Sequence, residues 1–318
     1  MTFAGNPKPP TLLVFGAFAA IYLVWGSTYL VVRYAIETIP PFLMFGSRCV
    51  VAGIMLFLFA RWKGASSPTA SQWRAALLIG FLLIALASSL VAWAEKKVPS
   101  SVAALIVSGL PFWMVLFDRR NGRPTKMVLA GLVIGFTGVT VLVLNGKDYD
   151  NQPLEFLPVA ACLFATLAWA IGSLLNRDVD TPDSPIMTVA AQMIAGGLLT
   201  MLIAFGIGEG AEFSFGEVTM RSFVAWCYLL VMGSILAYPA YIWLLSVVPP
   251  AKVSTYAFVN PPIAVALGCT VGGEPFSQQL LLASVLIIVA VVMIVVPRPK
   301  PASLADPVDD ACDSPAET

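Results

Sequence analysis

Ten apolar stretches of about 20 residues each fill this chain, and about 20 residues of apolar helix cross a bilayer core about 30 Å thick. They fall at 11–32, 42–60, 73–93, 100–118, 126–145, 155–175, 188–207, 223–245, 251–271 and 278–296. No soluble domain needs that pattern so often. The sequence therefore predicts an all-α membrane protein with ten transmembrane helices, spans 1 to 10. Hydrophobic residues make up 58% of the 318 and charged residues 11%, against about 25% charged in soluble domains. Mean hydropathy is +0.86.

Composition removes several classes of function. Net charge is zero, so there is no basic surface for a nucleic acid. Histidine is absent, which removes the commonest metal ligand and general base. Cys49, Cys162, Cys227, Cys269 and Cys312 are scattered without a Cys-x-x-Cys pair and read as small buried hydrophobes. There is no Gly-x4-Gly-Lys-Ser/Thr phosphate loop for ATP. No catalytic residue, metal or cofactor is expected. The first run is too long for a signal-peptide core and reads as an uncleaved first span.

Lys and Arg in short loops favour the cytoplasmic side. With residues 1–10 inside, the inner segments hold Lys8, Arg61, Lys63, Arg74, Arg119, Arg120, Arg123, Lys126, Arg177, Lys252, Arg298 and Lys300. The outer segments hold only Arg33, Lys96, Lys97, Lys147 and Arg221, and the eighteenth, Arg48, lies inside span 2. This bias places both termini in the cytoplasm of a multi-pass plasma (inner) membrane protein. The Pro-, Asp- and Ser-rich residues 298–318 read as a disordered cytoplasmic tail.

The chain repeats itself. Trp93, Pro99 and Pro111 recur as Trp243, Pro249 and Pro261 at a constant offset of 150. That divides it into residues 11–150, spans 1 to 5, and residues 151–297, spans 6 to 10. Five is odd, so the second copy enters the membrane in the opposite sense. The loops agree. Arg61, Lys63 and Arg74 join spans 2 and 3, whereas Glu209, Glu212 and Glu217 with one Arg221 join spans 7 and 8. Inverted repeats are a mark of secondary transporters.

Trp25-Gly26-Ser27 with Arg33, Arg48 in span 2, Val98-Pro99-Ser100-Ser101 through Pro111, and Val248-Pro249 through Pro261-Pro262 to Gly273-Glu274-Pro275 together resemble one family. It is the drug/metabolite transporter superfamily, in its ten-helix EamA-type permeases. The resemblance covers about residues 11–297. Arg123 stands where the family's first repeat has a Gly-Glu. The resemblance implies ten helices, cytoplasmic termini and export of small metabolites, amino acids or drugs without ATP. It also implies a cavity lined by spans 1, 3, 4, 6, 8 and 9.

Every Asp and Glu falls in a loop, at a span end or in the tail, so Arg48 is the one charge read as intramembrane. It either faces a central cavity and attracts an anionic group, or snorkels and holds neighbouring helices. Coupling to protons would need a span-end group such as Glu95 or Glu274. Pro111 and Pro261-Pro262 interrupt equivalent spans and read as hinges or as static bends. Asn260 would meet solute or cap a loosened carbonyl. Trp25, Trp93, Trp169, Tyr238 and Tyr256 would form an aromatic wall suited to an amphipathic solute, against core packing or, for Trp93, an interfacial belt. Gly131, Gly135 and Gly138 form a small-residue stripe, for packing within the bundle or for a homodimer contact. The expected partners are a small-molecule solute and the lipid bilayer. The expected function is a secondary transporter, an exporter of small organic metabolites by alternating access. The alternatives are a channel or facilitator, or a bundle that transports nothing.

Overall fold

The computed structural model describes residues 10–117, 126–145, 152–248, 253 and 255–295. The Arg119–Arg123 loop, Pro249, most of the N-terminal segment and the tail lie outside them. The helices are α1 (Thr11–Ala35), α2 (Pro41–Trp62), α3 (Ala70–Ala94), α4 (Ser100–Val107), α5 (Leu110–Phe117), α6 (Lys126–Asn145), α7 (Phe156–Leu175), α8 (Pro185–Gly206), α9 (Met220–Val247), α10 (Tyr256–Thr270) and α11 (Gln278–Val295). Among the described residues, α1, α2, α3, α7, α8 and α9 are long and apolar enough to cross a membrane. Four shorter apolar helices, within Ser100–Met114, Leu129–Val141, Val259–Thr270 and Gln278–Ala290, fall in the remaining expected spans.

Local chemistry sets the boundaries. Thr69 and Gln72 form a reciprocal capping box at α3, and Ser184 and Thr219 cap α8 and α9, each satisfying N–H groups that a first turn leaves without partners. Pro41 opens α2, where a missing N–H costs nothing. Two caps come from elsewhere in the chain. Leu43 N at the start of α2 donates to Glu209 Oε2 at 2.9 Å. Ser100 N and Ser101 N at the start of α4 donate to the two Glu274 oxygens at 2.8 and 3.0 Å.

Expected span 4 is broken in two. Gly109 N reaches back only three residues, to Ile106 O, and Phe112 N likewise to Gly109 O. Pro111 has no N–H to give Val107 and disfavours helical geometry at Leu110, so the ladder restarts as α5.

Lipid is as apolar as leucine, so burial alone does not hold membrane helices together, and close packing of small residues does. Gly80 of α3 faces Gly196 of α8 so closely that a methyl on Gly196 would lie 2.7 Å from Gly80 Cα. Gly46 and Gly53 of α2 likewise meet the α8 backbone, and Gly172 of α7 meets Leu83 of α3. Gly135 and Gly138 of α6 pack on Phe112 and on Ile287 of α11, so these two positions of the glycine stripe are occupied within the chain. The outward faces carry exposed Leu12, Phe15, Leu58, Leu202, Val231 and Leu282, a surface fit for acyl chains.

Two helices depart from α geometry: α3 over Phe81–Ser88 and α9 over Leu229–Ala237 are π-helical. In α3 the Ser88 and Ser89 hydroxyls donate five residues back, to Leu83 O at 2.7 Å and Ile84 O at 3.0 Å. Such segments widen a helix and concentrate at functional sites.

Candidate functional site: a central cavity

A cavity of about 140 Å³ lies at the centre of the bundle, walled by α1, α2, α3, α7, α8, α9 and α10 with Val107 and Leu110 from the broken span. Both π-helical segments face it, through Ile84, Ala87 and Ser88 on one side and Gly233 and Ser234 on the other.

Its aromatic wall is built around Trp25. The Trp25 ring meets Trp169 edge-on at 5.7 Å and Tyr256 at 5.2 Å, and Trp169 meets Tyr238 at 6.5 Å. Tyr241, behind the wall, accepts from Trp169 Nε1 at 3.2 Å and shares a 2.8 Å hydrogen bond with Ser173. The Tyr238 hydroxyl donates to Gln192 Oε1, and Gln192 Nε2 donates to Asn176 Oδ1. These polar groups bond within the protein, so the wall offers mainly ring faces. The Trp25-Gly26-Ser27 segment explains itself here. A methyl on Gly26 would come within 2.9 Å of Ile263 on α10, and Ser27 Oγ bonds the Tyr228 hydroxyl at 2.7 Å, so the segment lets α1 seat between α9 and α10. Asn260 lines the cavity. Turned with its amide nitrogen toward them, it donates to Tyr22 O and Tyr256 O.

Arg48 is buried at 7% exposure and lines the cavity. Its guanidinium lies 4.0 Å from the Phe45 ring centroid, and among the described residues its Nε meets no acceptor. Cation–π contact recovers part of the cost of burying it.

Glu95, the first residue past α3, is 1% exposed and also lines the cavity. Among the described residues neither of its oxygens meets a donor. Burial first, and then the Glu274 carboxylate, push its carboxyl well above the usual range, while Arg33 pulls it back. Glu274, by contrast, is supplied with donors. Besides the two α4 amides it accepts from Ser100 Oγ at 2.6 Å and lies 3.4 Å from Arg33 Nη1. The left-handed turn at Gly273, φ +65°, leads into Glu274, and Gly268 leaves room for it, since a methyl there would sit 2.5 Å from Oε2.

Of the residues singled out in the sequence, Trp25, Arg48, Trp169, Tyr238, Tyr256 and Asn260 all line this cavity. Trp93 is not among the lining residues and packs, half-buried, against the two neighbouring apolar cores, one built around Val98 and Leu105 and the other around Phe42 and Leu43. Pro111 lies next to the lining residue Leu110, and Pro261 next to Asn260. Tyr29, Ser88 and Thr166 line the cavity without having been singled out in the sequence, and Glu95, named there only as a span-end group for proton coupling, lines it too. For Glu95 the available signal was its place four residues before Pro99, at the turn into α4.

A helical membrane bundle enclosing one partly polar central cavity has the architecture of a solute transporter. The description "EamA-like transporter family" matches residues 12–144 and again 157–296, and the chain belongs to that family. It is 35% identical over 285 residues to the Escherichia coli K12 "Uncharacterized inner membrane transporter YedA", covering 89% of this chain and 90% of that one. It is 24% identical to a "Probable amino-acid metabolite efflux pump" of Salmonella typhimurium, over 84% of this chain and 89% of that one. A solved crystal structure 18% identical in sequence shares the fold, with a TM-score of 0.62 over 91% of this chain and 98% of that one. The protein is thus a multi-pass membrane transporter, and its named relatives include inner membrane transporters and an efflux pump.

Proposed function

We propose that the protein is a secondary transporter that exports small organic solutes by alternating access. Its solutes are amino acids or related amphipathic metabolites and drugs. The observation that carries this reading is the central cavity, whose ring-faced wall and buried Arg48 suit a molecule with an apolar body and an anionic group. Residues 11–150 and 151–297 act as two inverted five-helix repeats. Support comes from the double family match and from the π-helical segments in α3 and α9, which begin 148 positions apart, 229 against 81. Pro111 and Pro261-Pro262 serve as hinges. Both termini lie in the cytoplasm, a reading that rests on the loop charges.

The test is untargeted mass spectrometry of medium and cytosol from cells expressing the intact protein or Arg48→Ala. A solute enriched in the medium only with the intact protein, with flux that saturates, is the expected result. Accumulation inside would reverse the direction. Non-saturating flux would favour a channel.

A further inference from the structure

Glu95 is a buried carboxylate on the cavity wall with no donor on either oxygen among the described residues. Burying an unpaired carboxylate is costly, and such a group is stable only when neutral or when a cation pairs with it. Among the described residues its surroundings supply neither donor nor ion-pair partner. Cys162 on α7 and Tyr29 on α1 lie near it. Glu274 and Arg33 are the charges that act on it most, but Arg33 lies on Gly272 O at 2.9 Å and beside Glu274, and the adjoining Lys96 and Lys97 are exposed, Lys97 pairing with Glu155. Glu274 is itself occupied by the amides of Ser100 and Ser101 and by the Ser100 hydroxyl. Arg48 lines the same cavity but forms no ion pair with Glu95. Glu274 is therefore a structural cap, and Glu95 is left open to whatever enters.

Building on the carrier reading above, we propose that the Glu95 carboxyl is a shared subsite holding either a proton or the ammonium group of an amine-bearing solute, each displacing the other. Facing one side of the membrane, the carboxylate takes a proton from water and the solute leaves. Facing the other, the carboxyl returns that proton to water as the solute ammonium takes its place. One positive charge moves each way, so the exchange is electroneutral for a monocation. The aromatic faces of Tyr29 and Trp25 on the same wall suit an ammonium. With Arg48, the cavity accepts a solute bearing both signs of charge.

The test needs no transport assay. Infrared difference spectroscopy on the full-length protein in detergent follows the protonated carboxyl band with pH, using phenethylammonium as the cationic probe. The expected result is one carboxyl titrating well above the ordinary carboxylate range, absent in Glu95→Gln and present in Glu95→Asp. Phenethylammonium should move that titration to lower pH, and its apparent affinity should weaken about tenfold for each unit fall in pH below the midpoint. The same titration in Glu95→Gln would overturn the proposal, as would a Glu95 titration indifferent to phenethylammonium. Glu95→Asp keeps the experiment readable if the glutamine variant misfolds. Failure to export any solute would instead count against the carrier reading, so the two are distinguishable.

Discussion

A guanidinium in an apolar wall, with its Nε unmet, gains more from an arriving anion than the same group would in water. For Arg48 that argues binding over mere scaffolding. Arg48→Ala should weaken transport of an anionic or zwitterionic solute by about 30-fold or more, the scale of a lost buried charge contact. A purely cationic solute should suffer much less, and initial rates in inside-out vesicles measure both. Glu95 makes a different prediction, on stability. Its folded pKa is raised, so its contribution is fully present below the unfolded value near 4.3 and is lost as pH rises through the folded value. Glu95→Gln should therefore melt with the intact protein at pH 4 and above it, by about 2 °C or more, at pH 8. Differential scanning fluorimetry across pH reads this directly. Arg48 was legible in the sequence because a charge amid an apolar run stands out. Glu95 stood at the end of such a run, and whether a helix-end carboxylate meets water or a cavity depends on what the far half of the chain packs over it.

At the scale of elements, packing rests on contacts too tight for side chains. Gly80→Ala and Gly196→Ala each place a methyl against the opposing backbone, at 2.6 and 2.7 Å. Each should lower stability by about 1–3 kcal/mol through overpacking. Gly16→Ala on the open face of α1, where nothing lies within 4 Å, should be neutral or mildly stabilising. Thermal melting of the three variants separates packing from helix propensity. Glu274→Gln should destabilise as well, because α4 loses charge-assisted bonds at its N-terminus, each worth about 1.5–3 kcal/mol. The ends of α3, α8 and α9 follow from caps readable as Thr69, Ser184 and Thr219. The caps on α2 and α4 were not readable, because Glu209 and Glu274 arrive from 166 and 174 residues away. The π segments left no sequence trace: Phe81–Ser88 is as apolar and regular as any ordinary helix, and its five-residue bonding is a property of the packed bundle.

For the whole molecule, the membrane class followed from the apolar run lengths, and six long helices meet that expectation outright. The cavity needed the fold. Trp25, Arg48, Trp169, Tyr238 and Tyr256 come from five helices, and only packing brings them together. Trp93, chosen with the same aromatic logic, turns into the neighbouring cores instead, since periodicity does not say which side of a helix faces the centre. The central claim is that this one cavity opens to each side of the membrane in turn. The most direct measurement places a single cysteine at Ser88, on the π-helical wall, with the five native cysteines replaced by serine, and applies a membrane-impermeant maleimide from each side of oriented vesicles. The account predicts labelling from both sides, with the balance shifted by the transported solute. Labelling from one side only, unchanged by solute, would contradict it.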